Sequence, residues 1–151
     1  MHTEYLRSLF LDNDLAEGRF KAGGRFIALK DIATPLFAVG TERDHVAPWQ
    51  SVYKFHLLTD TEVTFLLTSG GHNAGIVSEP GHPGRHYRVA TSKADHTYVD
   101  PGVWQAETPV REGSWWPEWA AWLARHSGEP VQPPAMAAPL CAAPGSYVLQ
   151  A

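Results

Sequence analysis

Two short apolar runs organise this chain: Leu36-Phe37-Ala38-Val39-Gly40 and Val63-Thr64-Phe65-Leu66-Leu67. Continuous apolar runs of this length are typical of strands that are buried on both faces of a parallel sheet. The segment between them, 48–58, starts with a proline in a first-turn position and has apolar residues on one side, as a crossover helix would. Strand, helix and strand together predict a right-handed βαβ unit and an α/β fold.

A carboxylate and a histidine follow these two runs at equivalent places. Asp44 lies in the turn after the first run, and His72 follows the second run after Ser69-Gly70-Gly71. In open α/β sheets, reactive groups collect outside the carboxyl ends of the strands. A histidine held by a carboxylate can act there as a general base. A plainer interpretation stays open, in which Asp44 caps the helix near Pro48 and His72 is a polar loop residue.

The nucleophile that would complete a catalytic triad is missing from these 151 residues. The turn that presents such a nucleophile has the pattern Gly-x-(Ser or Cys)-x-Gly, because it is too tight for a Cβ at the glycine positions. Among the 13 glycines, only Gly71 and Gly75 have this spacing, and Asn73 lies between them. The single cysteine, Cys141, lies in a proline-flanked segment that offers neither rigid support nor a base.

Composition argues against several classes of function. The chain has 12 Lys and Arg against 16 Asp and Glu, a net charge of -4, so no basic stripe is offered to a nucleic acid. One cysteine excludes an internal disulfide and fits a reducing compartment. The sequence shows no leader pattern and no run long enough for a transmembrane segment, which predicts a cytoplasmic protein, soluble or peripherally attached.

The eight histidines prompt a search for a metal site. His82 and His86 are four residues apart and could share a helix face, but Pro83-Gly84 between them breaks such a helix. We therefore expect no metal site in this chain.

The flanking segments predict further elements. Apolar residues at near-helical spacing predict an amphipathic helix over 3–17, and two extended pieces around Gly23-Gly24 predict a hairpin or an edge ribbon over 20–29. The Gly-, Pro- and His-rich segment 80–108 predicts a long irregular excursion, with short extended candidates such as 86–90. A sheet that consists of a terminal βαβ unit leaves an unpaired edge open to another chain.

Four of the six tryptophans lie within eight residues, 115–122. Ser114 as N-cap and Pro117 in the first turn predict a helix that ends near Ser127-Gly128. Three residues of this helix are expected to face inward: Trp119, Trp122 and Leu123. This spacing favours core packing, and a ligand platform or a lipid-facing anchor is the alternative. The Pro-rich tail, 130–151, is expected to be ordered only by docking.

Three motifs carry a resemblance to a known family. They are Arg43-Asp44-His45-Val46-Ala47-Pro48-Trp49, Thr68-Ser69-Gly70-Gly71-His72-Asn73-Ala74-Gly75-Ile76-Val77 and Gly113-Ser114-Trp115-Trp116-Pro117-Glu118-Trp119. In this order they resemble the C-terminal third of class I polyhydroxyalkanoate synthases, the poly-β-hydroxybutyrate polymerases. The ending Ala143-Pro144-Gly145-Ser146-Tyr147-Val148 is also similar to the C-terminus of these enzymes. The resemblance covers nearly the whole chain.

The resemblance implies the C-terminal part of an α/β-hydrolase fold and an acyltransferase with a cysteine, aspartate and histidine triad. Such enzymes polymerise (R)-3-hydroxyacyl units from coenzyme A thioesters, with release of coenzyme A and without a metal or cofactor. By motif, His72 matches the histidine that deprotonates the cysteine. Asp44 matches the aspartate that orients this histidine or activates the 3-hydroxyl of the incoming unit. His45 matches the neighbour of that aspartate, an auxiliary position of open role. Ser78-Glu79 stands where many members have Asn-Pro, which touches no triad position.

The missing cysteine decides what we expect of the chain. Residues 1–129 are predicted to form the C-terminal part of a synthase catalytic domain, and 130–151 a tail. Such a chain would be inactive alone, so whether it is an enzyme stays open, and activity would require a second chain with the cysteine. The alternative is a non-enzymatic accessory protein or remnant that docks on a full-length synthase or on the polymer granule. A truncated, barely folded gene product is a third interpretation.

Overall fold

The computed structural model describes residues 1–150. Residues 1–31, which we call the N-terminal unit, begin with a short helical segment. Helix α1 spans His2–Tyr5 and continues as a π-helical turn over Leu6–Leu11. The predicted helix over 3–17 is therefore wrong beyond Leu11. The helix stops there because Asn13 takes a positive φ of 51°, which a right-handed helix does not contain.

A hairpin follows the helical segment, as predicted. Strands β1 (Phe20–Ala22) and β2 (Arg25–Ile27) are antiparallel and are joined by the two-residue loop Gly23-Gly24. The two glycines have positive φ values of 55° and 78°, which a tight hairpin turn of this length favours. A 3-10 turn over Leu29–Asp31 then leads to the central sheet.

The central sheet has four strands in the order β3-β4-β5-β6. Strands β3 (Leu36–Thr41) and β4 (Val63–Thr68) are parallel and are connected through helices α2 (Trp49–Tyr53) and α3 (Phe55–Leu58). The predicted pair of parallel strands with a helical crossover is confirmed. Every residue of β4 is buried, in agreement with its unbroken apolar run.

The segment 80–108 is more regular than the predicted irregular excursion, and its extended candidate over 86–90 is confirmed as a strand. It contains strand β5 (His86–Ser92), antiparallel to β4, and helix α4 (Pro101–Glu107). The short strand β6 (Arg111–Glu112) pairs with β5 and completes the sheet. Because β5 mixes polar and apolar residues, its local pattern is weak, and its pairing with the buried β4 determines its conformation. Within residues 1–150, the outer edge of β3 stays unpaired.

Side chains from opposite faces of the sheet form two apolar clusters. The first consists of Ala38, Trp49, Tyr53, Phe65, Leu67 and Trp104. The second consists of Leu66, Tyr87 and Trp115. Since neighbouring residues of a strand point to opposite faces, β4 contributes to both clusters and is the centre of the core.

Helix α5 spans Trp116–Arg125 and starts slightly later than predicted. The inward orientation expected of Trp119 and Leu123 is wrong, because these side chains are 43% and 39% exposed. Trp122 packs edge-on against Phe37, with ring centroids 5.6 Å apart. The described chain closes with a 3-10 turn in the tail, over 147–149. No helix within residues 1–150 is both long and apolar enough to cross a membrane.

Candidate active site

Asp44 lies in the turn that follows β3, and its carboxylate is already engaged by the backbone. Its Oδ1 accepts hydrogen bonds from the N–H groups of Val46 at 2.8 Å and Ala47 at 2.9 Å. The side chain is only 8% exposed. The hydrogen bond from Ala47, followed by the one from His72, lowers the pKa of Asp44 from 3.8 to about 2. Asp44 is therefore a fixed negative charge at neutral pH.

His72 lies in the loop after β4, residues 69–78, which we call the His72 loop. Its Nδ1 is 2.8 Å from Oδ2 of Asp44. Because an ionised carboxylate only accepts hydrogen bonds, Nδ1 carries the proton and donates it. In the neutral imidazole the lone pair is then on Nε2, which makes no hydrogen bond within residues 1–150. The side chain is 49% exposed, so Nε2 is available to take a proton.

The plainer interpretation of Asp44 as a helix cap does not describe its contacts. Helix α2 has Pro48 at its N-cap, and no side chain caps it. Asp44 instead closes its own turn with one carboxylate oxygen and holds His72 with the other. The structure thus brings together the two residues that the sequence singled out, and their catalytic role stays a prediction.

Backbone contacts fix the relative position of the two loops. The N–H of Glu42 donates to the carbonyl of Thr68 at 3.0 Å, and the N–H of Arg43 donates to that of Gly70 at 2.9 Å. A Cβ added at Gly75 would lie 2.6 Å from Cγ2 of Thr41, so the His72 loop approaches β3 more closely than any other residue type would allow. The alignment of the pair therefore depends on the packing of its loops.

A second carboxylate–histidine pair connects the turn after β3 to the start of β5, whose backbone holds the first residue of the His72 loop. Nε2 of His86 lies 3.3 Å from both carboxylate oxygens of Glu42, which precedes Asp44 by two residues. The N–H of His86 donates to Oγ of Ser69 at 3.1 Å, and its carbonyl accepts the N–H of Ser69 at 2.9 Å. We call this contact the Glu42–His86 brace. It could not be predicted from the sequence, because Glu42 and His86 are 44 residues apart and their contact depends on the position of β5.

The other residues that the sequence singled out do not join the pair. His45 is exposed beside it, and its side chain makes no hydrogen bond within the described residues. Cys141 is an exposed free thiol in the tail. His82 binds Glu79 at 3.0 Å, so His82 and His86 engage different carboxylates. Among residues 1–150, no group of three or more His, Cys, Asp or Glu side chains could hold a metal ion.

The fold and the Asp44–His72 pair define a general class of protein. It is an α/β protein in which a carboxylate orients a histidine and the two residues follow adjacent parallel strands, an arrangement suited to acid–base chemistry. No family profile matches the chain. The chain is 34% identical over 150 residues to poly(3-hydroxyalkanoate) polymerase subunit PhaC of Rhizobium meliloti. This alignment covers 97% of the chain and 24% of that protein.

Two further relatives have similar names. The protein of the same name from Rhizobium etli is 36% identical over 154 residues, covering 99% of this chain and 23% of the relative. Poly(3-hydroxyalkanoate) polymerase of Methylorubrum extorquens is 34% identical over 151 residues. This alignment covers 97% of the present chain and 24% of the relative. The chain is thus a relative of the poly(3-hydroxyalkanoate) polymerases and corresponds to a C-terminal part of them, as its motifs predict. It spans about a quarter of the length of these relatives.

Proposed function

We propose that this chain supplies the acid–base half of a class I poly(3-hydroxyalkanoate) polymerase active site, in which Asp44 orients His72 and His72 is the base. One observation carries the proposal: the 2.8 Å hydrogen bond between Nδ1 of His72 and Asp44, which leaves Nε2 free. The similarity to polymerases supports it. So does the position of both residues after parallel strands, which suits an α/β-hydrolase fold.

In the proposed reaction, Nε2 of His72 takes the proton of a cysteine thiol, and the thiolate attacks the carbonyl carbon of an (R)-3-hydroxyacyl coenzyme A thioester. The bond to the coenzyme A sulfur breaks, and the imidazolium returns its proton to the departing thiolate. In elongation, the 3-hydroxyl of the next unit loses its proton to the base, and its oxygen forms an ester as the cysteine sulfur leaves. Asp44 stabilises the imidazolium in each step. No metal or cofactor takes part.

The cysteine has to come from outside these 151 residues, and we expect its carrier to dock on the outer edge of β3. The N–H groups of Leu36 and Glu42 donate to the carbonyls of Glu62 and Thr68, at the two ends of β4. The backbone groups of Phe37 and Val39 therefore point away from β4. β3 contains no charged residue and no proline, which are common protections of an exposed edge. Its side chains pack into clusters on both faces, as in an interior strand.

Complementation tests this proposal. The Rhizobium meliloti polymerase, shortened by the portion that this chain matches, would be mixed with the chain, and thiol release from (R)-3-hydroxybutyryl coenzyme A would be followed. We expect turnover only in the mixture, and none with His72→Ala. The matched control is His82→Ala, which removes a histidine from another carboxylate pair and should leave turnover unchanged. Turnover by this chain alone, or by the mixture with His72→Ala, would contradict the proposal.

A second candidate function is non-enzymatic docking on a full-length synthase or on the polymer granule in the cytoplasm. It is favoured by large apolar side chains of the N-terminal unit that face solvent. Phe10, Leu11 and Phe26 are 87%, 76% and 63% exposed, and such residues suit an apolar polyester surface. Sedimentation with poly-3-hydroxybutyrate particles measures this binding. We expect Phe10→Ser with Leu11→Ser to weaken it, and equal binding of the wild type and the double variant would argue against docking by these residues.

A further inference from the structure

The motif Ser114-Trp115-Trp116 meets the His72 loop with three side-chain donors. The Ser114 hydroxyl donates to the carbonyl of Ser78. The indole N–H of Trp115 donates to the carbonyl of Gly75 at 3.2 Å, and that of Trp116 donates to the carbonyl of Ile76 at 2.9 Å. Three consecutive side chains therefore bind the backbone that follows His72.

These donors satisfy carbonyl groups that the loop itself leaves open. The N–H groups of Gly75, Ile76 and Val77 close a single helical turn on the carbonyls of Gly71 and Asn73. A turn that does not continue as a helix has no later N–H groups for its last carbonyls. An indole N–H is a donor only, so it fits a lone carbonyl.

The motif is itself anchored in the core. Trp115 is 6% exposed and packs with Leu66 of β4 and Tyr87 of β5. Ser114 is 9% exposed, and its Oγ accepts the N–H of Trp116 at 3.1 Å while its proton goes to the loop. The far end of the His72 loop is therefore tied to the sheet through buried side chains.

We infer that Ser114, Trp115 and Trp116 are positioning residues for His72. The N–H of Arg43 holds the near end of the loop through the carbonyl of Gly70, and the motif holds the far end. With both ends fixed, the imidazole keeps its distance to Asp44 although half of it faces solvent. The catalytic meaning of this role rests on the proposed function, whereas the geometry of His72 can be measured without any turnover.

The same helix offers a matched control for the role of the indole N–H. Nε1 of Trp122 is buried and makes no hydrogen bond within residues 1–150, and its ring packs against Phe37. Trp122→Phe and Trp116→Phe shorten the same type of side chain, but only Trp116→Phe removes a donor to the loop. A purely structural role of the tryptophans predicts similar effects of the two substitutions on His72.

The experiment compares nitrogen-15 NMR spectra of the full chain and four variants under alkaline conditions. We expect Trp116→Phe and Ser114→Ala to shift the His72 ring nitrogens away from the Nδ1-protonated pattern. Amide exchange over 75–77 should become about 2- to 10-fold faster, the effect of one lost hydrogen bond. Ser114→Thr retains the hydroxyl and should preserve the wild-type signals, and Trp122→Phe should leave the His72 signals unchanged.

Two results would overturn the inference. One is an unchanged His72 pattern in Trp116→Phe and Ser114→Ala, and the other is an equal change in Trp122→Phe. If the buried Ser114→Ala variant does not fold, the more exposed Trp116→Phe decides alone. Failed complementation together with the expected NMR differences would remove the proposed function but leave the positioning role in place.

Discussion

Replacing Gly75 with alanine should push the His72 loop away from β3. The added methyl carbon would lie 2.6 Å from Cγ2 of Thr41 and 2.9 Å from the carbonyl oxygen of Ser69, well inside van der Waals contact. The loop has little freedom to move, because the N–H and the carbonyl of Gly75 are both hydrogen-bonded. Overpacking of this kind costs about 1–3 kcal/mol. We expect a lower midpoint of urea unfolding at unchanged m value, and a His72 ring-nitrogen spectrum that loses its Nδ1-protonated pattern.

Two variants make this prediction specific. Gly71→Ala is the control, because its added carbon would meet nothing closer than the carbonyl oxygen of Arg43 at 3.6 Å. Thr41→Ser removes the clashing methyl group but retains the hydroxyl that donates to Asp44 at 3.4 Å. The penalty of Gly75→Ala should therefore be smaller in the Thr41→Ser background. Equal midpoints for Gly75→Ala and Gly71→Ala, or strictly additive effects in the double mutant, would refute the packing argument.

Three further predictions test other parts of the structure. His72→Gln should raise the pKa of Asp44 from about 2 toward 3.8 in a carboxyl NMR titration, although the backbone hydrogen bonds keep it below 3.8. Because folding lowers this pKa, ionised Asp44 stabilises the folded state above pH 3.8, and this stabilisation is lost as the pH falls toward about 2. Between pH 3.8 and about 2, the free energy of unfolding should therefore fall less in His72→Gln than in the wild type. Phe65→Ala, at a side chain with 0% exposure, should lower the free energy of unfolding by about 3–5 kcal/mol, whereas Phe26→Ala, at 63% exposure, should change it by less than about 0.5 kcal/mol. His86→Leu removes the brace between Glu42 and β5 and should slow turnover in the complementation assay, while His86→Gln, which retains an N–H donor, should preserve it; equal rates for the two variants would argue against the brace.

The strands that position the pair could be predicted from the sequence as buried parallel strands, whereas the strand that braces it could be predicted only as a short extended candidate over 86–90, without its place in the sheet. β3 and β4 are unbroken apolar runs, and a strand buried on both faces needs such a run. β5 carries His86, Arg88 and two threonine or serine positions among its seven residues, so its pattern is weaker than that of β3 or β4. Only the pairing with β4 makes it a strand, and pairing depends on residues distant in sequence.

The candidate site divides in the same way. Asp44 and His72 could be paired in advance, because parallel strands place their carboxyl ends at one edge of the sheet. The role of the tryptophans could not, since their spacing on a helix reports which side is apolar and carries no information about an indole N–H. Trp115 and Trp116 reach carbonyl groups 40 residues earlier in the chain, a contact that only the folded structure defines.

The order of these elements along the chain matters for how the protein is made. Asp44 and His72 leave the ribosome before β5 and before helix α5, which hold their loops. A nascent chain that ends before Ser114 contains both residues but lacks the three side-chain donors of Ser114-Trp115-Trp116. We expect the pair to become aligned only when synthesis has passed Trp116. Premature termination upstream of that point would yield a product with an intact sequence motif and an unsupported histidine.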